Sequence, residues 1–333
     1  MVVSFAIRVF MNRPPIRRNP YYNCSVGRVL LIFIDGLGLG NFDPACNPLA
    51  RFFPRVLACF SDRAGPLPRQ GLSCSIDARL DVPGLPQSAT GQATLFTGVN
   101  AAQLIGQHLS GFPNQKLRDL LSRKSLVTRL CAGGYSVNFA NTYTPAFVHN
   151  RPRWVSATTV MCESAGLRLN TLTDLRAGRS LFMDFTNRLL ARAGHDVPIW
   201  SEKEAAGVLI GLAAQYDFCF YEYFLSDLAG HRGTPERNAQ LLRSLDEFLF
   251  HVVCGMDVDE SSLVITSDHG NVENSCVPGH TMNPVPGLFW GPIRSRIEGI
   301  RQLDLTSITP LIEAVVRGVP KSLINPKSDG DGS

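Results

Sequence analysis

Apolar runs of strand length recur along the chain, separated by stretches with helical spacing or with many Gly and Pro residues. Three runs stand out, at residues 29–34, 218–225 and 263–266. They show little alternation of apolar and polar side chains, which predicts strands buried on both faces, as in a parallel sheet covered by helices. Amphipathic stretches at 117–130 and 234–251 predict helices. The pattern therefore predicts an α/β fold with a mostly parallel central sheet.

Weaker signals predict further elements and a division of the chain. The form Ser201-Glu202-Lys203-Glu204 is typical of a helix start. We also expect a strand at 135–140 and helices at 51–60, 181–193, 202–215 and 304–316. Residues 141–199 are the least regular, which predicts a small cap. The expected division is a basic extension at 1–28, a core in two parts at 29–140 and 200–320, a cap insertion at 141–199 and a disordered tail at 321–333.

The first 28 residues have an unusual composition. They carry five arginines, no acidic residue and the pair Pro14-Pro15. This predicts a disordered extension or an upstream start codon, with an organellar transit peptide as the alternative.

Polar metal-binding side chains follow each of the three apolar runs. Asp35 comes directly after the first run, Asp227 after the second with His231 four residues later, and Asp268-His269 after the third. Carboxyl ends of parallel strands share one edge of a sheet, so we expect these side chains to converge there. One Asp-His pair alone at a strand end is more often a hydrogen-bonded turn than a metal or catalytic site. Three carboxylates brought close together would repel one another unless cations lay between them, which predicts two divalent ions, zinc or manganese or a mixed pair.

The glycines after Asp35 raise a second interpretation. The segment Asp35-Gly36-Leu37-Gly38-Leu39-Gly40 suggests a dinucleotide-binding loop. Its glycine spacing differs from that motif, and the charge of Asp35 would repel a pyrophosphate. A cation suits this strand end better.

Ser88 is the candidate nucleophile. Residues 88–96 can form a helix that ends at Gly98, with Ser88 at or near its amino terminus. Serine is a preferred N-cap residue, so a purely structural role is one explanation. The same position favours an alkoxide and an incoming phosphate, because unpaired amides and the positive end of the helix dipole face it. The surrounding residues lack the glycines of a hydrolase nucleophile elbow.

Composition narrows the class of protein. The chain has 333 residues, 44% of them hydrophobic, and a formal charge of +4 without a basic run interleaved with aromatics, so we expect no nucleic-acid partner. No apolar run reaches the roughly 18 residues that cross a bilayer, so we expect no membrane partner. Nine scattered cysteines without a Cys-x-x-Cys pair predict reduced, mostly buried thiols and a cytoplasmic location.

The order of these motifs resembles that of the alkaline phosphatase superfamily. The motifs are Asp35-Gly36, Ser88 in Pro-Gln-Ser-Ala-Thr-Gly-Gln, Asp227-Leu-Ala-Gly-His231, Asp268-His269-Gly270 and Gly279-His280-Thr281. The likeness covers roughly residues 28–320 and is closest to the metalloenzyme domain of cofactor-independent phosphoglycerate mutases and phosphopentomutases. It implies a three-layer α/β/α sandwich with a small cap insertion. It also implies two metal sites, one formed by Asp227, His231 and His280 and the other by Asp35, Ser88, Asp268 and His269, with Ser88 as the nucleophile.

One departure from the resemblance limits the functional prediction. Phosphoglycerate mutases carry a second domain of comparable size between the nucleophile and the Asp-x-x-x-His motif, and the interval from Ser88 to Asp227 is too short for it. We therefore expect phosphoryl transfer on a small-molecule phosphoester, by a phosphatase or a phosphomutase-like enzyme. The alternatives are a phosphodiesterase or nucleotide pyrophosphatase on the same metal core, and a non-catalytic metal-binding protein. Candidate substrate contacts are His108, Asn141, Arg151 and Arg153.

Overall fold

A seven-stranded sheet forms the middle of the molecule, in the order β3-β4-β1-β5-β6-β2-β7. The structure is a computed structural model and describes residues 27–300 and 302–321. The strands are β1 (Arg28–Ile34), β2 (Leu72–Asp77), β3 (Val137–Phe139), β4 (Phe218–Tyr223), β5 (Ser261–Thr266), β6 (Val285–Trp290) and β7 (Leu303–Asp304). Only β6 runs antiparallel to its neighbours within this described sheet. The predicted basic extension and tail lie almost entirely outside the described residues.

Helices cover both faces of the sheet. They are α1 (Ser88–Thr97), α2 (Ala101–Ile105), α3 (Gln115–Lys124), α4 (Leu126–Ala132), α5 (Pro145–His149), α6 (Ala157–Ser164), α7 (Leu172–Arg176), α8 (Arg188–Arg192), α9 (Glu202–Ala213), α10 (Leu225–Arg232), α11 (Pro235–Gly255), α12 (Arg294–Ile297) and α13 (Leu305–Val316). Two 3-10 turns lie at Pro48–Arg51 and Pro68–Gln70. Ser201 caps α9 in a capping box with Glu204, as its sequence predicts. Among the described helices, none combines the length and the apolar character needed to cross a bilayer.

Alternate residues of β1 belong to two separate cores. Val29, Leu31 and Phe33 pack with the α1, α3, α4, α6 and α13 layer. Leu30, Ile32 and Ile34 pack with α9 and α11 on the other face. Burial of a large aliphatic or aromatic side chain contributes about 1.5–3 kcal/mol, so a strand used on both faces must be apolar throughout. The predicted three-layer α/β/α fold is confirmed.

Several predicted elements differ from the structure. The helix expected at 51–60 is absent, because the amides of Arg55, Val56 and Leu57 donate to the buried Asp246 carboxylate of α11. The helix expected at 117–130 divides into α3 and α4 at Ser125, which ends the first and caps the second.

The helix expected at 181–193 shortens to α8. Asn187 has left-handed φ/ψ angles at its start, and the Asp184 carboxylate accepts from the Asn187 and Leu189 amides. Strands β2 and β6 were not predicted.

Residues 141–199 contain α5 to α8 and pack in two ways. Helix α6 joins the core beside α3 and α4. Leu172, Leu175 and Leu190 form a small core of their own. The boundaries of the cap stay a prediction.

One disulfide corrects the prediction for the thiols. Cys46 and Cys276 are bonded with Cα atoms 5.2 Å apart, at a sequence separation of 230. The two loops are also joined by a hydrogen bond from the Ser275 amide to the Cys46 carbonyl. The sequence gives no spacing signal for a pair so far apart. Disulfides persist in oxidising compartments, so the cytoplasmic location loses the argument on which it was based and stays a prediction.

Candidate metal centre

The predicted acidic residues meet where three adjacent strands end. Asp35 follows β1, Asp268 and His269 follow β5, and Asp227 lies in the first turn of α10, directly after β4. The Asp35 amide donates to the Tyr223 carbonyl at 2.9 Å, which holds the end of β1 against the end of β4. Because β4, β1 and β5 are neighbours in the sheet, their carboxyl ends form one edge.

Asp35, Ser88, Asp268 and His269 form a buried group that we call the inner set. His269 Nε2 lies 3.2 Å from Asp35 Oδ1 and 3.6 Å from Asp268 Oδ2. It lies 2.9 Å from Ser88 Oγ. Ligand atoms arranged tetrahedrally around a cation at 2.0–2.2 Å lie about 3.3–3.6 Å apart, so the separations from His269 to the two carboxylates are close to those around one shared ion. The shorter separation to Ser88 is that of a hydrogen bond.

Asp227, His231 and His280 form a second group, the outer set. His280 Nε2 lies 3.2 Å from His231 Nε2 and 3.5 Å from Asp227 Oδ1. His231 Nε2 lies 3.4 Å from Asp227 Oδ2, because residues four apart share one face of α10. His280 Nδ1 donates to the Pro86 carbonyl at 3.0 Å, which leaves its Nε2 lone pair for an ion.

The inner set has buried oxygen atoms without hydrogen-bond donors. Asp35 Oδ1 and Asp268 Oδ2 accept no hydrogen bond, although both atoms are inaccessible to water. An unpaired buried acceptor costs about 1–3 kcal/mol, more when it is charged. A divalent cation between these atoms would satisfy both, so the residues present fit a metal ion.

The pKa shifts of the inner set also arise from buried carboxylates that lack a positive partner. Burial, with the nearby Asp35 carboxylate, raises the pKa of Asp268 well above its ordinary value. Burial lowers the pKa of His269, but the carboxylates of Asp268 and Asp35 outweigh it and raise that pKa to about 10. A buried acidic group of this kind needs positive charge, which protons or a metal ion supply.

Ser88 is the first residue of α1, and its hydroxyl is free of a capping role. The N-cap is Gln87, in an extended conformation, so the structural explanation for Ser88 does not apply. Gly91 lets α1 approach the end of β5, since a Cβ there would lie 2.8 Å from the Asp268 carbonyl oxygen. The helix thus brings Ser88 to His269.

Two supporting residues were missed by sequence reasoning. Buried Glu273 accepts from the Gly38 amide at 2.9 Å and the Asn271 amide at 2.7 Å, and it also accepts from Thr281. Asn271 donates to Asp227 Oδ1 at 2.7 Å. Both residues come just after Asp268-His269-Gly270 in the sequence, and this position is the signal that could have identified them. Glu273 joins the loops that follow β1 and β5, and Asn271 orients a residue of the outer set.

A cavity of about 810 Å³ opens beside Ser88, Asp35 and Asp227. Two of the four predicted substrate contacts line it, Asn141 and Arg153. The Asn141 side chain bonds both backbone groups of Glu222, at 2.8 and 2.9 Å, so its amide is already engaged. Arg153 is exposed, with its guanidinium 5.3 Å from the Trp154 ring centre.

The other two predicted contacts lie outside the cavity lining. His108 Nε2 faces the carbonyls of Arg79 and Val82, at 3.1 and 3.2 Å. Arg151 pairs with Glu163 through both of its terminal nitrogens. These contacts give both residues a structural role, which opposes the prediction that they bind substrate.

Comparison with known proteins agrees with this geometry. The profile of the Metalloenzyme superfamily matches residues 198–312, a range that includes Asp227, His231, Asp268, His269 and His280. An alkaline phosphatase from the Antarctic bacterium TAB5 has the same fold, with a TM-score of 0.52 at 12% identity over 88% of this chain and 99% of the phosphatase. The PH0037 protein from Pyrococcus horikoshii gives a TM-score of 0.50 at 15% identity over 87% of this chain and 97% of that protein. The predicted resemblance is confirmed for the fold, which is that of an alkaline phosphatase, and for residues 198–312, which match the Metalloenzyme superfamily.

The relatives found by sequence include phosphoglycerate mutases. The 2,3-bisphosphoglycerate-independent phosphoglycerate mutase of Desulforudis audaxviator is 28% identical over 130 residues, 37% of this chain and 25% of the mutase. That of Ruegeria pomeroyi is 30% identical over 118 residues, 33% of this chain and 23% of the mutase. The chain thus matches about a quarter of the length of these relatives. The two mutases and the TAB5 phosphatase are enzymes, in agreement with the predicted enzyme class.

Proposed function

We propose that the protein catalyses metal-dependent phosphoryl transfer from a small-molecule phosphomonoester through a phosphoserine at Ser88. The observation that carries the proposal is the position of the Ser88 hydroxyl. It belongs to the inner set, 2.9 Å from His269 Nε2, and it also lines the cavity. A hydroxyl at the mouth of a cavity and beside a cation-binding group is placed to attack a bound phosphorus atom.

The two sets would each hold one divalent cation. Asp35, Ser88, Asp268 and His269 would hold one, and Asp227, His231 and His280 the other. Mixed oxygen and nitrogen donors suit zinc or manganese. When bound, the pair lowers the pKa of the serine hydroxyl and offsets the negative charge of the phosphoryl oxygens.

The chain supplies the nucleophile and its orientation. Ser88 Oγ loses its proton to solvent water and forms a bond to phosphorus while the bond from phosphorus to the leaving oxygen breaks in line, and the leaving oxygen takes up a proton from solvent water to become the alcohol. A water oxygen, or a second hydroxyl held in the cavity, then bonds to phosphorus and releases Ser88. Ser88 lies at the start of α1, where the positive end of the helix dipole favours negative charge on the phosphoryl group.

Replacing Ser88 tests the nucleophile. With zinc or manganese supplied, Ser88→Ala should lower kcat on a phosphomonoester by at least about 10³-fold and abolish the phosphoserine detected by mass spectrometry. Ser88→Thr keeps a hydroxyl and should retain measurable activity. Ser122→Ala is the matched control, because that serine lies on α3 and contacts Ser164. Wild-type turnover by Ser88→Ala would refute the assignment.

A phosphodiester assayed beside the monoester separates the proposal from its closest rival. Faster turnover of the diester would favour a phosphodiesterase or nucleotide pyrophosphatase on the same metal core. Two bound ions without turnover of either compound would favour a non-catalytic metal-binding protein.

A further inference from the structure

The cavity beside Ser88 has a wall rich in aromatic side chains. Phe112 comes from the loop between α2 and α3, Tyr143 and Phe147 from the start of the cap, Trp154 from the segment before α6, and Phe224 from the end of β4. Segments far apart in the chain thus place aromatic rings around one opening. Such walls bury the apolar part of a ligand.

Part of this aromatic surface is exposed. Phe112 is 53% exposed and Trp154 is 49% exposed, and Leu228 beside them is 43% exposed. Large apolar side chains grouped at a concave site indicate a binding surface, whereas scattered ones need no explanation. A ligand that covered these side chains would gain their burial.

The rings are also held in place before any ligand arrives. The Tyr143 and Phe147 ring centres lie 4.7 Å apart, and the Tyr143 hydroxyl bonds Thr159 at 2.8 Å. The guanidinium groups of Arg118 and Arg153 lie 5.6 and 5.3 Å from the Trp154 ring centre. A preorganised wall loses little side-chain entropy on binding.

Most of the side chains that line the cavity carry no charge. Its charged lining residues are Asp35, Asp227, Glu222 and Arg153. Asp35 and Asp227 belong to the two metal sets, and Glu222 is a third carboxyl group. Arg153 is the only arginine in this lining, and its guanidinium lies beside the Trp154 ring at the edge of the aromatic wall.

We infer that the substrate is a phosphomonoester of a bulky, ring-bearing apolar alcohol. This inference rests on the proposed function, with the phosphoryl group at Ser88 and the alcohol portion against the aromatic wall. A volume of about 810 Å³ exceeds the needs of a phosphorylated three-carbon acid and falls in the range of pockets for drug-sized ligands.

Three phosphomonoesters with the same kind of leaving group test it. The compounds are 3-phenylpropyl, propyl and 3-carboxypropyl phosphate, all esters of primary alcohols, so their rates report binding of the side group more than leaving-group chemistry. We expect kcat/KM for the phenyl compound to exceed that for propyl phosphate by at least about tenfold. The carboxyl compound should be the poorest. Equal rates for the phenyl and propyl compounds, or preference for the carboxyl compound, would overturn the inference.

Variants localise the preference. Trp154→Ala and Phe112→Ala should each reduce the phenyl-to-propyl ratio several-fold, and Trp154→Phe should restore most of it. Phe53→Ala is the control, since Phe53 is 95% exposed and lies outside the cavity lining, and it should keep the wild-type ratio. An unchanged ratio in both alanine variants would contradict the aromatic wall as its source.

A binding measurement separates this inference from the proposed function. If the zinc- or manganese-loaded protein turns over none of the three esters, the proposed phosphoryl transfer is refuted. Calorimetry with 3-phenylpropylphosphonate and propylphosphonate then tests separately whether the aromatic wall binds an apolar group. At least about tenfold tighter binding of the phenyl compound supports the inference. Equal affinities overturn it.

Discussion

Water reaches the inner set and the outer set to different degrees. The side chains of Asp268 and His269 are 0% exposed and that of Asp35 is 12% exposed. In the outer set His280 is also buried, with 7% of its side chain exposed, but the side chain of Asp227 is 18% exposed and that of His231 is 41% exposed. Asp35, Asp268 and His269 of the inner set follow the ends of the central strands β1 and β5. Two members of the outer set lie instead on the short helix α10. The difference indicates that an ion in the inner set would be part of the folded core, while the outer ion could exchange with solvent.

Removal of a carboxylate from the inner set should have the largest effect. Asp268→Ala is expected to lower kcat/KM by at least about 10³-fold, because no water can replace the lost ligand at a fully buried position. Metal analysis should show the loss of one ion per chain. Activity within tenfold of wild type would remove the distinction between the two sets.

A change in the outer set should be smaller and reversible. His231→Ala is expected to lower kcat/KM by about 10–100-fold at limiting metal, since water can reach the position of the lost imidazole. Excess zinc or manganese should restore much of the activity. The test is a metal titration of activity beside Asp268→Ala, which excess metal should not rescue. Equal rescue of both variants would contradict the comparison.

Glu273 supports the loops around both sets but belongs to neither. Its replacement should therefore have a smaller effect than the replacement of Asp268 or His231. In Glu273→Gln an amide replaces a carboxylate that accepts from several donors, and its NH₂ group cannot accept from them. We expect metal affinity to fall by about tenfold, measured by competition with a chelating dye. Glu236→Gln, at an exposed surface position paired with Arg51, is the control and should leave the affinity unchanged. An unaltered affinity in Glu273→Gln would show that these loops hold the ligands without it.

Glu222 lies on β4 and lines the cavity. Its replacement should change the pH dependence of the free energy of unfolding more than it changes activity. Burial raises the pKa of Glu222 from 4.5 to about 8, with a hydrogen bond from Thr158 opposing the shift and the Asp35 charge adding to it. The folded state therefore holds this proton more tightly than the unfolded chain. The free energy of unfolding should fall, relative to Glu222→Gln, as pH rises from about 4.5 to about 8. Urea unfolding at pH 5 and pH 9 measures the difference, and parallel pH profiles for the two proteins would contradict it.

The sequence predicted the strands of the inner set better than it predicted the cavity. β1 and β5 are apolar on both faces and end at Asp35 and Asp268, so local pattern and topology together indicate the shared edge. β2 has only one fully buried residue, Ile76, and carries no such pattern.

Interactions between segments that are far apart in the chain leave no pattern in the local sequence. The carboxylate of Asp246 prevents a helix more than 180 residues away, at Arg55, by accepting its amide. The aromatic wall gathers rings from positions 112 to 224, each of which alone resembles a surface or core residue. Charged residues such as Arg151 were attractive candidates because their ion-pair partners cannot be known before the chain is folded.

The strand order also has a consequence for biosynthesis. β1 leaves the ribosome before its two partners in the sheet, because β4 and β5 are made only when synthesis reaches residues 218 and 261. Until then the apolar strand has neither neighbour, and such unpaired segments are prone to aggregate. We therefore expect the nascent chain to depend on chaperones, and metal loading to follow synthesis, since His280 emerges after every other ligand.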